Sequence, residues 1–170
     1  MSTAPEPHPP EDARHTRSGR KFLVVVDGTP ECRPALHFAA RRARSSHGSV
    51  TLLCVLPRAE FQHWMAVADL MREEALVEAD EMLRTMVADV RTTLGGEAEV
   101  VIRDGTVKDQ VLELIEEDPN IGVLVLGAGT SPEGPGPLVS SFAGQLAGSL
   151  PIPVTVVPGN LTIAEIDALT

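Results

Sequence analysis

Two stretches of the chain hold the residues best placed to do chemistry. Asp27-Gly28-Thr29 directly follows the aliphatic run Phe22–Val26, and Gly127 opens a segment rich in glycine and proline that runs to Pro137 after Ile121–Leu126. Both sit where a parallel strand ends, and ligands of open α/β sheets bind beyond the carboxyl ends of the strands. A thiol is the next candidate. Cys32 falls in or beside the first turn of a helix, where the dipole can lower a thiol pKa; no histidine is placed near it by sequence, so the thiol is expected to be inert. Cys54 is mid-strand and reads as core. The histidines (8, 15, 37, 47 and 63) show no ligand spacing, so no metal site is expected. His47, beside Gly48, reads as a helix terminus, and the cluster Arg41, Arg42 and Arg44 is explained by the negative end of the same helix.

The elements that must position these residues alternate along the chain. Phe22–Val26, Ser49–Leu56, Glu99–Ile102, Ile121–Leu126 and Pro153–Val157 are short β-rich runs, the first a continuous apolar run as buried parallel strands require. Between them stand helical periods. Ala35, Leu36, Ala39, Ala40 and Ala43 follow Thr29-Pro30-Glu31, which offers an N-cap hydroxyl, and Pro34 suggests a start near Arg33. Phe61–Leu94 is one long amphipathic pattern of about 50 Å at 1.5 Å per residue, so its first part, 61–69, is expected to be separate or kinked. Thr106–Asp109 forms a capping-box-like start for a third helix, and Leu138–Leu150 marks a fourth. Five strands alternating with four helices predict an α/β fold, a five-stranded parallel open sheet of order 3-2-1-4-5 with helices on both faces, Rossmann-like. That order makes the strands ending at Asp27 and Gly127 neighbours. The proline-rich residues 1–20 are expected to be a disordered leader, 21–158 the α/β domain, and 159–170 a C-terminal tail with a short apolar turn at Ile163, Ile166 and Leu169.

From Asp27-Gly28-Thr29, from Asp104-Gly105, and above all from the unit Val123–Ala128 through Pro153–Val157, the chain resembles the universal stress protein family over roughly residues 20–158. The resemblance implies a cytoplasmic protein, dimeric through its last strand (Val154, Thr155, Val156, Val157), that binds ATP or AMP with magnesium in some members and no nucleotide in others. It also implies a phosphate loop: a glycine, two residues, a glycine, nine residues, then a glycine and a Ser or Thr. Gly127 matches the first glycine. Thr130 stands for the second, Ser140 for the third, and Ser141 matches the final hydroxyl. Such glycines let backbone N–H groups approach phosphate oxygens, with a helix dipole behind them. The nucleotide-contacting set implied here is Asp27, Gly28, Gly127, Gly129, Thr130, Ser140 and Ser141. Asp27 then has two readings, a partner of the ribose or base, or a turn residue bonding nearby amides.

Charge bears on the same loop. No Lys or Arg occurs from Asp109 to Thr170, while eight acids do: Asp109, Glu113, Glu116, Glu117, Asp118, Glu133, Glu165 and Asp167. Pro132, Pro135 and Pro137 each remove an N–H donor from the segment. Over the whole chain of 170 residues, 14 basic against 24 acidic residues give −10, which disfavours nucleic acid and anionic lipid as partners. Aromatic residues make up 3%, too few for base-stacking platforms. With no apolar run near 18 residues and no signal peptide, a soluble cytoplasmic protein is expected. The sequence thus points to a stress-response regulatory module rather than an enzyme, with an adenine-nucleotide crevice. The alternative is a protein-interaction scaffold that binds no nucleotide, and a hydrolysing or adenylating enzyme ranks third for want of basic residues.

Overall fold

The computed structural model describes residues 20–58 and 65–170. Five strands, β1 (Lys21–Val26), β2 (Ser49–Leu56), β3 (Glu99–Asp104), β4 (Ile121–Ala128) and β5 (Val154–Pro158), form one sheet of order β3-β2-β1-β4-β5. All four pairings are parallel, as the sequence predicts. The first crossovers run outward on one side of β1 and the next jump to its other side. β1 and β4 therefore flank the point where the winding reverses.

Alternation along the strands separates two cores. On one face Val24, Val26, Leu52, Cys54 and Val125 pack under α1 (Cys32–Ser46) and α2 (Met65–Leu94). On the other, Leu23, Val25, Leu53, Leu124 and Leu126 pack under α3 (Val107–Glu117) and Phe142. The inner stripe of α1 is mostly alanine (Ala35, Ala39, Ala40, Ala43), which lets the helix lie close to the sheet. α1 starts at Cys32, one residue before the expected start, and Thr29 does not cap it, because its hydroxyl is turned to Asp27. At the other end His47 takes the left-handed conformation (φ 55°) and its N–H reaches the carbonyls of Ala43 and Arg44, the terminus expected of it.

Two helices differ from expectation. α2 is continuous over its 30 residues, so residues 65–69 are not a separate piece; Phe61–Trp64 lie outside the described residues, as does the expected leader up to residue 19. The reason is local: 65–94 holds neither Gly nor Pro, Arg84 pairs with Asp80 one turn away (2.7 Å), and Arg72 ties the projecting half to Asp104 at the end of β3 (2.8 Å). Only the later half meets the sheet, through Ala79, Leu83, Met86 and Val90, while Val67, Leu70, Met71 and Val77 are exposed. The expected fourth helix shrinks to one α-helical turn, α4 (Pro137–Val139), which passes into a π-helical segment, Ser140–Gln145. The Ser140 N–H makes an ordinary helical bond to the Gly136 carbonyl (3.1 Å), but the Leu146 N–H reaches back five residues to the Ser141 carbonyl (2.9 Å), and Gly144 and Gly148 weaken any continuation.

Residues after β5 form a helix, α5 (Ile163–Leu169), opened by a capping box between Thr162 and Glu165. Ile166 is fully buried, and Asp167 accepts from His37 Nε2 (2.8 Å) and pairs with Arg41 (3.1 Å) on α1. At the opposite rim, the amino ends of the strands are tied together by Lys21. Its ammonium meets Glu99 and Asp118, each at 2.6 Å, and the buried Thr51 hydroxyl donates to Glu99 at 3.0 Å. Among the described residues no helix is long and apolar enough to cross a membrane.

Candidate functional site

The site forms at the carboxyl tips of β1 and β4. At β1 the chain leaves the sheet through Asp27, whose Oδ1 accepts from the Thr29 N–H (3.0 Å) and the Thr29 hydroxyl (2.7 Å). This is a closed Asx turn, and it leaves the carboxylate exposed. Gly28 has φ 75°, a left-handed conformation that a side chain would strain. A Cβ there would also stand 3.2 Å from Met82 Sδ, so α2 passes directly over this tip and gives it an apolar wall.

At β4 the glycines have a specific neighbour. A Cβ on Gly127 would collide with the carbonyl of Glu31, the residue capping α1, and would lie 3.1 Å from the Glu31 Cβ. One on Gly159, just beyond β5, would lie 2.7 Å from the same Cβ. One on Gly129 would lie 3.3 Å from Glu31 Oε1. Three glycines thus pack around Glu31, Gly127 and Gly159 against its backbone and Cβ and Gly129 against its carboxyl group, and the tips of β1 and β4 are joined through it. Glu31 and Gly159 do not stand out in the sequence. Glu31 reads there as an acid at a helix start, and Gly159 as part of a tail; nothing in their spacing marks them.

The loop from Gly129 to Pro137 folds on itself. The Gly129 N–H donates to the Pro135 carbonyl (3.0 Å), and the Gly134 N–H donates to the Ser131 carbonyl (3.1 Å). With the three prolines lacking donors and Ser140 committed to Gly136, much of the loop's donor capacity is engaged internally. α4 runs straight into the π-helical residues up to Gln145, so a helix start stands behind the loop at Gly136. Thr130 and Ser140 are exposed and Ser141 is half-buried. Glu133 is held below the usual carboxylate range, chiefly by the Ser131 hydroxyl and then by its own backbone N–H, so it stays ionised near neutrality.

Among the described residues neither cysteine is an activated nucleophile. Burial, seconded by the Asp27 charge, pushes the Cys32 thiol up to about 12, the reverse of activation by a helix start. Its Sγ lies 3.6 Å from the Val25 carbonyl. Cys54 is raised for the same reasons, burial first. Among the described residues no group of three or more His, Cys, Asp or Glu is gathered to hold a metal ion. The arrangement brings together a turn, a glycine-lined strand end packed on Glu31 and an apolar helix.

The expected pairing edge, β5, is the outer strand on this side of the sheet. Val154, Thr155 and Val156 are half-buried and Val157 is buried.

The universal stress protein UspA from Lactobacillus plantarum superposes with a TM-score of 0.70 at 21% identity, over 82% of this chain and 98% of that one. The universal stress protein from Archaeoglobus fulgidus in complex with dAMP gives 0.57 at 21% identity, over 82% and 98%. A universal stress protein family protein from Arabidopsis thaliana with AMP bound gives 0.58 at 17% identity, over 82% and 92%. At such identities these likenesses speak for the fold. No curated protein matches the chain by sequence. The model of the universal stress protein family matches residues 19–158, every strand from β1 to β5, and the chain belongs to that family.

Proposed function

We propose that the chain is a non-catalytic regulatory module whose β1–β4 crevice takes an adenine nucleoside or nucleotide. The observation that carries this reading is the adjacency of Asp27 and the Gly127–Pro137 loop at the point where the sheet's winding reverses. The two neighbours solved with dAMP and AMP support the ligand class. In this reading Asp27 accepts hydrogen bonds from the ribose or base, Met82 and Gly28 form a wall for the flat ring, and backbone groups from Gly127 to Thr130 with Ser141 face the rest. Magnesium would enter with phosphates, because the tips carry no ligand cluster of their own. Calorimetry with adenosine, AMP and ATP tests the crevice, with Asp27→Ala as the control. Binding at micromolar to millimolar strength, weakened tenfold or more in Asp27→Ala, is expected. Silence toward all three ligands overturns the reading and leaves a protein-interaction module.

That second reading has one specific observation in its favour, the exposed Val67, Leu70, Met71 and Val77 on the projecting half of α2. Pairing of two copies through β5 belongs to either reading. An edge strand presents unpaired N–H and C=O groups that a twin can satisfy across a two-fold axis. Sedimentation at micromolar concentration is expected to show a dimer, and a monomer overturns this part.

A further inference from the structure

The Glu31 side chain has no role in the binding reading, yet it occupies the most constrained space at the site. Gly127, Gly129 and Gly159 come from two different strand ends and converge on it. Glycine at a strand end is expected where a ligand or another backbone comes close. Here the space at Gly127 and Gly159 is taken by the backbone and Cβ of Glu31, and only Gly129 faces its carboxyl group, with Oε1 3.3 Å from where a Cβ would stand. Two further carboxylates border the same tips, Asp27 at β1 and Glu133 in the loop, and the chain supplies no Lys or Arg from Asp109 onward to balance them. Among the described residues no ion pair involves Glu31.

We infer that Glu31 is a specificity-determining residue: its carboxylate, set against Gly129 at the start of the loop, puts negative charge where a phosphate would approach, so that the crevice prefers an uncharged adenine nucleoside to AMP, and AMP to ATP. This inference rests on the binding reading given above. Its physics is like-charge repulsion in a half-buried setting, where charges are screened less than in open water. Each added phosphate brings negative charge toward Glu31, Asp27 and Glu133. The loop's engaged amides and its three prolines leave few donors to compensate.

The test is calorimetry of adenosine, AMP and ATP against the full chain and two variants. Glu31→Gln keeps the shape and removes the charge; Glu31→Asp keeps the charge. The wild-type chain should rank adenosine above AMP above ATP. Glu31→Gln should narrow the adenosine-to-ATP affinity ratio by tenfold or more, and Glu31→Asp should preserve the ranking. ATP bound by the wild type as tightly as adenosine overturns the inference, and this outcome needs no variant to fold. An unchanged ratio in Glu31→Gln, or an equal narrowing in both variants, overturns it as well, the second by assigning the effect to packing. Adenosine binding without the ranking leaves the crevice standing and removes only the role of Glu31. No binding of any ligand to any of the three proteins removes the crevice and this inference together.

Discussion

Gly127 shows how a single residue can carry two explanations. From its spacing it is the first glycine of a phosphate loop; in the structure its missing Cβ already admits the Glu31 carbonyl. Both needs concern close approach, and sequence cannot distinguish a ligand's approach from that of the chain's own backbone. Gly127→Ala should therefore destabilise the protein by about 1–3 kcal/mol, the usual range for overpacking a filled space. Denaturant unfolding measures it, and a change below a few tenths of a kcal/mol would show that α1 is not seated on β4 as described. Cys32 makes the opposite point. Its position at a helix start suggests an activated thiol, but burial and the nearby Asp27 charge outweigh the dipole and push its pKa up to about 12. Cys32 and Cys54 should resist a thiol reagent at pH 8 in the native protein and react at once on unfolding. Rapid native labelling of Cys32, resolved by mass spectrometry, would contradict that environment. Asp27 itself was readable from its sequence neighbours as turn chemistry, and the Thr29 bonds bear this part out.

The strands were legible because a buried parallel strand leaves a plain mark, a run such as Phe22–Val26 or Ile121–Leu126. The helices were legible where one face alternates cleanly with the other, as in α1 and α3. They are less legible where the pattern hides the bonding: the Leu146 N–H reaches back five residues to Ser141 and turns the expected fourth helix into a π-helical segment, and unbroken helix propensity carries α2 past the sheet. Ion pairs between distant elements leave no mark at all. Lys21, Glu99 and Asp118 are far apart in sequence yet bind β1, β3 and the end of α3 at the rim opposite the site. Hydrogen bonding to Asp118, then to Glu99, raises the Lys21 pKa above its ordinary value; hydrogen bonding to Lys21 lowers that of Asp118. For the depressed Asp118, the stabilisation is complete above the ordinary aspartate range near about pH 4 and fades as pH falls through the lower folded value. For the raised Lys21, it is complete below the ordinary lysine range near about pH 10 and fades as pH rises through the higher folded value. Lys21→Met should cost about 1 kcal/mol at pH 7 and shrink both limbs of the stability profile. Urea unfolding from pH 2 to 11 reads this, and a variant whose profile parallels the wild type would contradict the network.

At the scale of the whole molecule, order of strands decides where function can sit. Reversal of winding between β1 and β4 brings two distant sequence segments to one rim and leaves the ion-paired rim for stability. This much followed from the alternation of elements and the handedness of crossovers. What did not follow is how the rim is filled, because that depends on side chains such as Glu31 and on α5, whose buried Ile166 and Asp167 contacts dock residues beyond the family domain onto α1. The central claim is that the tips of β1 and β4 form one binding surface. The most direct measurement is an NMR titration of the isotope-labelled chain with adenosine, following each backbone amide. Saturable shifts are expected at Gly28, Thr29, Glu31, Gly127, Gly129, Thr130 and Ser141, with β3 and α5 undisturbed. Shifts confined to other regions, or none at ligand concentrations into the millimolar range, would contradict the account.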